Sequence, residues 1–259
     1  RRSDGYCGKP IELGSDCFQM DTGNTQTTIP NYISGFPVDF ALLRNPGIAV
    51  DWDVTTRLTG KKYLKSNTTV AEATYNDYTF DSNTGWAKDN GPGTMQSWMW
   101  KRHSGMDVVC YEGVSATRTI QHSMGKVPEM MWIKSRTSTD GWEVYHKGLN
   151  GGTTPASYSL RLDTSATESN IGATGKWSDI TSTSVTLHSN GGVNFNSKDF
   201  IMMLFASVDG ISKCGYFDGQ SSDLTVTFGF QPRFLMLKRT DAAGDWNVYD
   251  TTRGLVSGA

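Results

Sequence analysis

Two carboxylates that flank a tryptophan are the first candidates for chemistry in this chain. Asp51 and Asp53 lie on either side of Trp52, and on a strand both would point to the same face. A glycosidase needs two carboxylates about 5–10 Å apart across a cleft, one of them with a raised pKa. In two later segments of similar sequence, Asp53 is replaced by Glu143 and Asn247. Exposed polar strand positions explain this variation more simply, so we predict no catalytic residue here.

Metal and cofactor chemistry is not indicated by the sequence either. The histidines are widely spaced and share no motif: His103, His122, His146 and His188. Residues 218–223 lack the acidic spacing and the distal Glu of an EF-hand loop. A phosphate-binding loop, a dinucleotide fingerprint and a Gly-x-Ser-x-Gly elbow are not found. We therefore predict no cofactor, no metal and no enzymatic activity.

Tryptophans are the remaining candidates, as platforms on which sugars stack. Trp52, Trp142 and Trp246 recur at intervals of 90 and 104 residues within a Trp-x-Val motif. This recurrence favours core residues that pin a hairpin, each indole N–H finding a local partner. Segments that vary between repeats carry recognition more often than scaffold strands do. The predicted ligand contacts therefore lie outside the motif: Trp86, Trp98 and Trp100.

The cysteines Cys7, Cys17, Cys110 and Cys214 are too few and too dispersed for a disulfide scaffold or a zinc knuckle. Cys7 and Cys17 are close enough in sequence to pair, although reduced and buried cysteines are the favoured alternative. The last three are separated by 93 and 104 residues, close to the intervals of the tryptophans. We predict that these three occupy one core position, used once in each repeat.

The same intervals relate whole segments, which must position these residues. Residues 35–55, 125–145 and 229–249 each read Gly, Pro, an apolar run, a basic residue, a polar turn and Trp-x-Val. This pattern is typical of two strands joined by a hairpin turn, and residues 224–228 alternate like a further strand. A proline is tolerated where a strand begins, which is where we expect Pro37, Pro128 and Pro232.

A period of 90–105 residues is too long for a solenoid unit or a propeller blade and fits a small β-domain repeated in tandem. We predict an all-β fold of tandem antiparallel β-sandwiches, jelly-roll or lectin-like, with few or no helices. The predicted divisions are an N-terminal segment at 1–34 that partly ends a preceding unit, repeats at 35–109 and 110–206, and the front of a third repeat at 207–259. Alternatively, neighbouring repeats complete each other's sheets and the boundaries fall elsewhere. We expect the chain to be a piece of a longer polypeptide.

The composition of the 259 residues agrees with this fold class. Only 19% of the residues are charged and 28 are glycine, which suits strands and tight turns better than helices. A net charge of −2 argues against non-specific electrostatic binding to nucleic acid or to an acidic membrane. The longest apolar stretch, residues 200–208, is far shorter than the ~20 residues that span a bilayer. We predict neither nucleic-acid binding nor membrane insertion.

Residues 194–206, 214–219 and 230–250 together resemble a repeat in structural proteins of tailed bacteriophages, notably marine and cyanobacterial ones. The shared pattern is a Gly-x-Val-Asn turn, a strand ending in Phe-Ala, a Gly-Tyr-x-Gly turn, then Gly-Phe-x-Pro and the Trp hairpin. The resemblance covers residues 110–259 well and 1–109 more loosely. The first repeat departs from it at residues 44–47 and 97–102, which replace the basic turn and the Phe-Ala strand.

This resemblance implies a virion component, such as part of a tail fibre or another exposed appendage, assembled in the bacterial cytoplasm. Its expected partners are other virion proteins, further copies of itself (a trimer if it is a fibre) and a host surface glycan. The family provides no functional residues to carry over. Two alternatives stay open, a capsid decoration or cement protein and a polysaccharide-degrading enzyme of the tailspike type.

Overall fold

The computed structural model describes residues 13–24, 28–88 and 94–255. All strand pairs within these ranges are antiparallel. The helical elements of the described residues are short 3-10 turns, at Gly14–Asp16, Leu149–Gly152, Pro155–Ser157 and Thr251–Arg253. The predicted all-β class is confirmed. Among the same residues, no helix has the length and apolar character needed to cross a membrane.

Nine strands form a first unit, residues 18–100, and nine form a second unit, residues 106–205. The first nine are β1 (Phe18–Thr22), β2 (Tyr32–Ile33), β3 (Phe40–Arg44), β4 (Asp53–Thr56), β5 (Lys62–Lys65), β6 (Ala73–Thr74), β7 (Tyr78–Thr79), β8 (Gly85–Lys88) and β9 (Gln96–Trp100). The second nine are β10 (Met106–Glu112), β11 (Arg118–Gln121), β12 (Met130–Ser135), β13 (Glu143–His146), β14 (Tyr158–Arg161), β15 (Ser169–Asn170), β16 (Trp177–Ser178), β17 (Ser184–Leu187) and β18 (Asp199–Phe205).

The two units have the same topology. A six-stranded sheet runs in the order β1-β9-β3-β4-β5-β6 in the first unit and β10-β18-β12-β13-β14-β15 in the second. A three-stranded sheet accompanies each, in the orders β2-β8-β7 and β11-β17-β16. The registers also correspond, because Phe40 pairs with Trp100 as Met130 pairs with Phe205. The repeat in the sequence is therefore a repeat of one sandwich-like fold.

Within each unit, one face of the large sheet packs against the small sheet. In the first unit Trp86 is stacked between Tyr32 and Phe80, with ring centroids 5.1 and 5.5 Å apart. From the large sheet, Ala41 and Leu43 of β3 complete this buried cluster. Because side chains alternate along a strand, the residues between them must point to the opposite face.

The opposite faces of the two large sheets pack against each other. Phe40 of the first unit lies 6.3 Å from Trp132 and 6.4 Å from Phe205 of the second, ring centroid to ring centroid. Burial on both faces explains why β3 and β12 are continuous apolar runs. We call this buried cluster the shared core: Met20, Phe40, Leu42, Val54, Leu64, Trp98, Met106, Val108, Trp132, Trp142, Val144, Leu149, Leu160, Leu162, Ile201 and Met203.

A third unit begins after residue 206 and contributes a hairpin of β19 (Phe234–Leu237) and β20 (Asn247–Asp250). Its Phe234, Met236 and Trp246 pack against the shared core. The prediction of a strand at residues 224–228 is wrong, because these residues form no backbone pairing with another strand. The corresponding strands β2 and β11 pair with β8 and β17, and no described residue of the third unit supplies such a partner.

The glycine and proline positions of the repeated motif have the same backbone role in all three units. The glycines have φ values of 82°, 66° and 83°, in the left-handed region that glycine enters without steric cost: Gly35, Gly125 and Gly229. The prolines precede β3, β12 and β19 by two or three residues, which confirms their predicted place: Pro37, Pro128 and Pro232.

The strand pairings place the unit boundaries earlier than the sequence suggested. Strand β1 pairs with β9, so residues 18–22 belong to the first unit rather than to a preceding one. Strand β10 pairs with β18, so the first boundary lies within residues 101–105 instead of between 109 and 110. Each large sheet draws only on its own unit. Neighbouring repeats therefore share a core without exchanging strands.

The expectation that Cys17 and Cys110 fill one core position is wrong. The amide of Lys101 donates to the carbonyl of Cys17 in the first unit. At the matching place in the second unit, the amide of Ala206 donates to the carbonyl of Gly105. Gly105 is thus the counterpart of Cys17, and Cys110 lies five residues further along β10. The similar intervals in the sequence conceal this five-residue difference in register.

Because the shared core joins the units, removing one of its large side chains should destabilise both together. We expect Phe40→Ala to lower the free energy of unfolding by about 3–5 kcal/mol, with near-UV and far-UV circular dichroism reporting one coincident transition in urea. The matched control is Phe217→Ala, since Phe217 is half exposed and should change stability by less than about 0.5 kcal/mol. Two separated transitions in Phe40→Ala would contradict a shared core.

Candidate functional site at the junction of the three units

The three hairpins meet around a cavity of about 250 Å³, which we call the junction cavity. Leu42, Trp132 and Met236 line it from β3, β12 and β19, at the 90- and 104-residue intervals of the repeat. Trp52 and Trp246 line it as well. Polar residues complete the wall: Ser66, Asn67, Asp163, Thr164, Ser165 and Asp245. The cavity is slightly smaller than usual small-molecule pockets, which span roughly 300–1,000 Å³.

Repeated tryptophans bind consecutive units to one another. The Nε1–H of Trp142 in the second unit donates to the carbonyl of Lys65 in the first, at 2.8 Å. The Nε1–H of Trp246 in the third unit donates to the carbonyl of Arg161 in the second, also at 2.8 Å. Lys65 and Arg161 end the corresponding strands β5 and β14. Each hairpin is thus fastened to the unit before it by the same bond.

Trp52 has the same place in the first unit but a different environment. Its ring lies 5.0 Å from the ring of Trp98, and the guanidinium of Arg44 lies 5.0 Å from its centroid. Trp142 is completely buried, whereas Trp52 remains partly exposed at the junction cavity. The core role predicted for Trp52, Trp142 and Trp246 therefore holds fully for Trp142 and partly for the other two.

A buried carboxylate fastens the third unit to the first. Asp250 accepts hydrogen bonds through Oδ2 from Trp98 Nε1 at 3.0 Å and from Arg253 Nε at 2.7 Å. Burial would raise the pKa of Asp250, but hydrogen bonds from Thr252 and Arg253, the charge of Arg253 and the bond from Trp98 outweigh it and lower the pKa. The carboxylate therefore stays ionised while almost fully buried.

Trp100 belongs to the same joint. Its ring centroid lies 4.9 Å from Phe18, 4.9 Å from Phe40 and 5.4 Å from Phe234 of the third unit. Since Trp98 and Trp100 are two residues apart on β9, both indoles point to the same face of the large sheet. That face carries the shared core.

These positions correct the predicted ligand contacts. Trp86 and Trp98 are fully buried, so neither offers a surface to a ligand. Trp86 lies in the sandwich core of the first unit and donates from Nε1 to Ser97 Oγ at 3.0 Å. Trp100 is partly exposed but packs among aromatic rings of two units. The sequence could not distinguish ligand-binding loops from residues at a contact between units, because both kinds of residue differ from repeat to repeat.

The two carboxylates beside Trp52 have opposite electrostatic environments. Asp51 accepts from Lys65 Nζ at 2.6 Å and from Asn67 Nδ2 at 2.8 Å, and these bonds lower its pKa. Burial raises the pKa of Asp53, partly offset by the hydroxyl of Tyr78 at 2.8 Å and by the charge of Lys88. The sequence interpretation of Asp53 as an exposed strand position is therefore wrong.

Glu143, the counterpart of Asp53, shows what this position does in the second unit. It is 1% exposed and its carboxylate lies 2.6 Å from Lys176 Nζ and 3.1 Å from Arg161 Nη2. The Lys176 ammonium also donates to Ser159 Oγ at 2.9 Å. A buried carboxylate is retained when it is paired and hydrogen-bonded in this way. The position thus holds a neutralised charge inside a sandwich, and we assign it a structural role.

The described cysteines are free thiols: Cys17, Cys110 and Cys214. Burial raises the pKa of Cys17 and of Cys214 to about 12 and also raises the pKa of Cys110. Thiols held protonated in this way are poor nucleophiles and poor metal ligands. Cys7, and with it the alternative of a Cys7–Cys17 pair, lies outside the described residues. In the part of the chain that the structure covers, no group of three or more His, Cys, Asp or Glu is placed to hold a metal ion.

A family model described as a domain of unknown function, DUF7483, matches residues 50–257, about four fifths of the chain. The chain belongs to the DUF7483 family. The match begins just before Trp52, so it includes β4 of the first tryptophan hairpin and the whole of the other two hairpins. No curated protein and no solved structure matches the chain significantly. The function of this DUF7483 chain must therefore be argued from its own residues.

Asp250 is the residue of this junction that sequence reasoning missed. It ends the third Trp-x-Val strand, where the first two units have Thr56 and His146, so the repeat gave no reason to single it out. A signal was nevertheless present in β9, because two indoles on one face of a strand need apolar cover and a hydrogen-bond acceptor.

Loss of one indole N–H should show which tryptophans hold the units together. We expect Trp142→Phe to reduce the free energy of unfolding by about 1–3 kcal/mol, because the Lys65 carbonyl then keeps only the longer hydrogen bond from the Thr68 amide, at 3.4 Å. The matched variant is Trp52→Phe, which should cost clearly less because Trp52 is partly exposed. Urea denaturation followed by circular dichroism measures both. Equal losses in the two variants would argue against a stabilising inter-unit bond.

The lowered pKa of Asp250 predicts a pH dependence of stability. Its folded-state pKa lies below the unfolded value of about 3.9. The stabilisation is therefore complete above that value and is lost as the pH falls through the folded-state pKa. Comparing urea midpoints of wild type and Asp250→Asn from pH 2 to pH 7 should give a gap of about 1–3 kcal/mol near neutrality that closes at the acid end. A gap that does not change with pH would contradict this assignment.

Proposed function

We propose that this chain is a non-enzymatic structural module of a tailed-bacteriophage virion, belonging to a tail fibre or another exposed appendage. The observation that carries the proposal is the construction of the units. They are not separate domains on linkers, because one apolar core and a repeated indole–carbonyl bond join them. Bending at such a joint would expose apolar core and break these hydrogen bonds, so the joint suits a part that bears mechanical load outside a particle.

The resemblance of residues 110–259 to phage structural repeats supports the proposed location of this module in a virion. Its partners under this proposal are neighbouring virion proteins and further copies of the chain. Buried, protonated thiols suit assembly in the reducing cytoplasm of a bacterial host. Host surface glycans are the external ligands we propose, bound by loops rather than by the buried tryptophans.

The paired charges beside Trp52 support a structural role over a polysaccharide-degrading one. Asp51 is bonded to Lys65 and Asn67, and the position of Asp53 is a buried ion pair in the second unit. A glycosidase acid and its partner must instead flank a bound sugar. The tailspike-type enzyme and the capsid cement protein are kept as outcomes of the test.

The proposed location can be tested by labelling this protein on purified virions and imaging them by cryo-electron microscopy. We expect the label on a tail appendage. Label on the head shell would indicate the cement protein, and unlabelled virions would contradict a structural role in the particle.

Host contact and enzymatic activity need a separate measurement. We expect the purified chain to bind selected glycans on an array prepared from host surface polysaccharide and to release no reducing ends from them. Matched variants are Asp53→Asn and Asp51→Asn. Release of reducing ends that disappears in Asp53→Asn would establish the enzyme instead.

A further inference from the structure

One side chain of the junction cavity carries a hydrogen-bond donor that the protein itself does not use. Trp132 lines the cavity from β12 and is only 3% exposed. Its Nε1–H has no acceptor among the described residues, although a buried indole N–H usually has one. The ring packs against Phe40 and Phe205, which offer no acceptor. An acceptor for this donor therefore has to come from inside the cavity.

The wall of the cavity also holds an aromatic ring in a fixed position. Trp246 lines the cavity and remains partly exposed. Its Nε1–H is bonded to the carbonyl of Arg161, so the ring cannot turn without breaking that bond. Leu42 and Met236 add apolar surface from β3 and β19. A ligand would meet a preorganised apolar wall, which reduces the ordering cost of binding.

The polar part of the wall comes from residues that follow or precede strands. Residues 66–67 follow β5, residues 163–165 come after β14, and Asp245 precedes β20. Asp163 is held in place, because its Oδ1 accepts from the Trp142 amide at 2.8 Å, whereas Asp245 is exposed. The wall thus combines hydroxyls, which donate and accept hydrogen bonds, with carboxylates, which accept them.

Charge limits the chemical class of the ligand. Asp163 and Asp245 carry the charge among the lining side chains. Arg44 Nε and Lys238 Nζ, two cations near the lining residues, both donate to backbone carbonyls. An anionic ligand would therefore be repelled by the two carboxylates. A quaternary ammonium would suit carboxylates and aromatic rings but offers no acceptor to Trp132.

The size of the cavity limits the ligand further. Pockets for drug-sized molecules span roughly 300–1,000 Å³, and this cavity has about 250 Å³. A single sugar ring is small enough, and it has hydroxyls that both donate and accept as well as an apolar C–H face. Further rings of an oligosaccharide would have to lie outside, against the loops.

We propose that the junction cavity binds one neutral sugar ring through the Trp132 Nε1–H, the Trp246 face and the Asp245 carboxylate. The Trp132 N–H donates to an oxygen of the sugar, and a sugar hydroxyl donates to Asp245. The C–H face of the ring lies against Trp246. The site thus adds two tryptophans to loop residues of the kind proposed above. That a host surface polysaccharide supplies the sugar rests on the proposed function, whereas the site itself rests on the cavity.

Indole N–H resonances measure this binding directly in the whole chain, labelled with isotopically enriched tryptophan. The probes are methyl glycosides of glucose, galactose, mannose, rhamnose and N-acetylglucosamine. We expect at least one of them to shift the signals of Trp132 and Trp246, and the corresponding uronic acid glycoside to bind about tenfold more weakly. Trp177 is the internal control, because its Nε1–H also lacks an acceptor among the described residues but lies in the sandwich core of the second unit. Unchanged Trp132 and Trp246 signals with every glycoside would mean a cavity for water only and would overturn the proposal.

Point variants connect the binding to the named groups. Trp132→Phe removes the N–H without breaking a hydrogen bond among the described residues, and it should weaken binding about tenfold. Asp245→Ala keeps the test decisive if the smaller ring destabilises the core. Since Asp245 is exposed, this variant should keep the parent Tm and weaken binding about fivefold. The matched control is Asp218→Ala, also at an exposed aspartate, which should bind like the parent. Parent-like affinity in both Trp132→Phe and Asp245→Ala would overturn the proposal.

Competition separates this proposal from the function proposed above. We expect polysaccharide from the host surface to displace the bound methyl glycoside. A glycoside that binds in the cavity but is not displaced would support the sugar site and contradict a host glycan as its ligand. Labelling of virions tests the location of the protein independently of either result.

Discussion

Burial of both faces of the two large sheets is the constraint on which the rest of this structure depends. Each sheet turns one face to its own small sheet and the other to the neighbouring unit. The second contact removes Phe40, Trp98 and Trp132 from water and leaves no independent domain in the usual sense. Indole–carbonyl bonds from Trp142 and Trp246 then hold each of these units against the one before it. The fold is thus an assembly of repeats within one chain.

Much of this architecture could be predicted because it depends on periodicities visible in one sequence. The intervals between Trp52, Trp142 and Trp246 located the hairpins, and the left-handed glycines and the prolines fell where strand chemistry requires them. The boundaries could not be located in the same way. They depend on the register of β1 and β10, strands whose pairing partners lie more than 70 residues away. The cysteine intervals were a misleading guide to that register.

The junction was less predictable than the fold, for a physical reason. A repeat motif reports what each unit needs for itself, whereas Trp98, Trp100 and Asp250 serve contacts between different units. Such residues differ from copy to copy and resemble variable recognition residues. Asp53 and Glu143 show the opposite case, in which polar residues on a strand face a buried, neutralised environment. Residues 224–228 show that an alternating pattern alone does not make a strand, because they pair with no other strand.

We infer that the first and second units form one cooperative structure through the shared core. Native-state hydrogen exchange can measure this cooperativity, by comparing the slowest amides of β3 and β9 with those of β12 and β18. We predict that both groups exchange with the same free energy of opening and the same dependence on denaturant, because neither unit can open without exposing the face of the other. Distinct free energies, with one unit opening while the other stays protected, would contradict the claim.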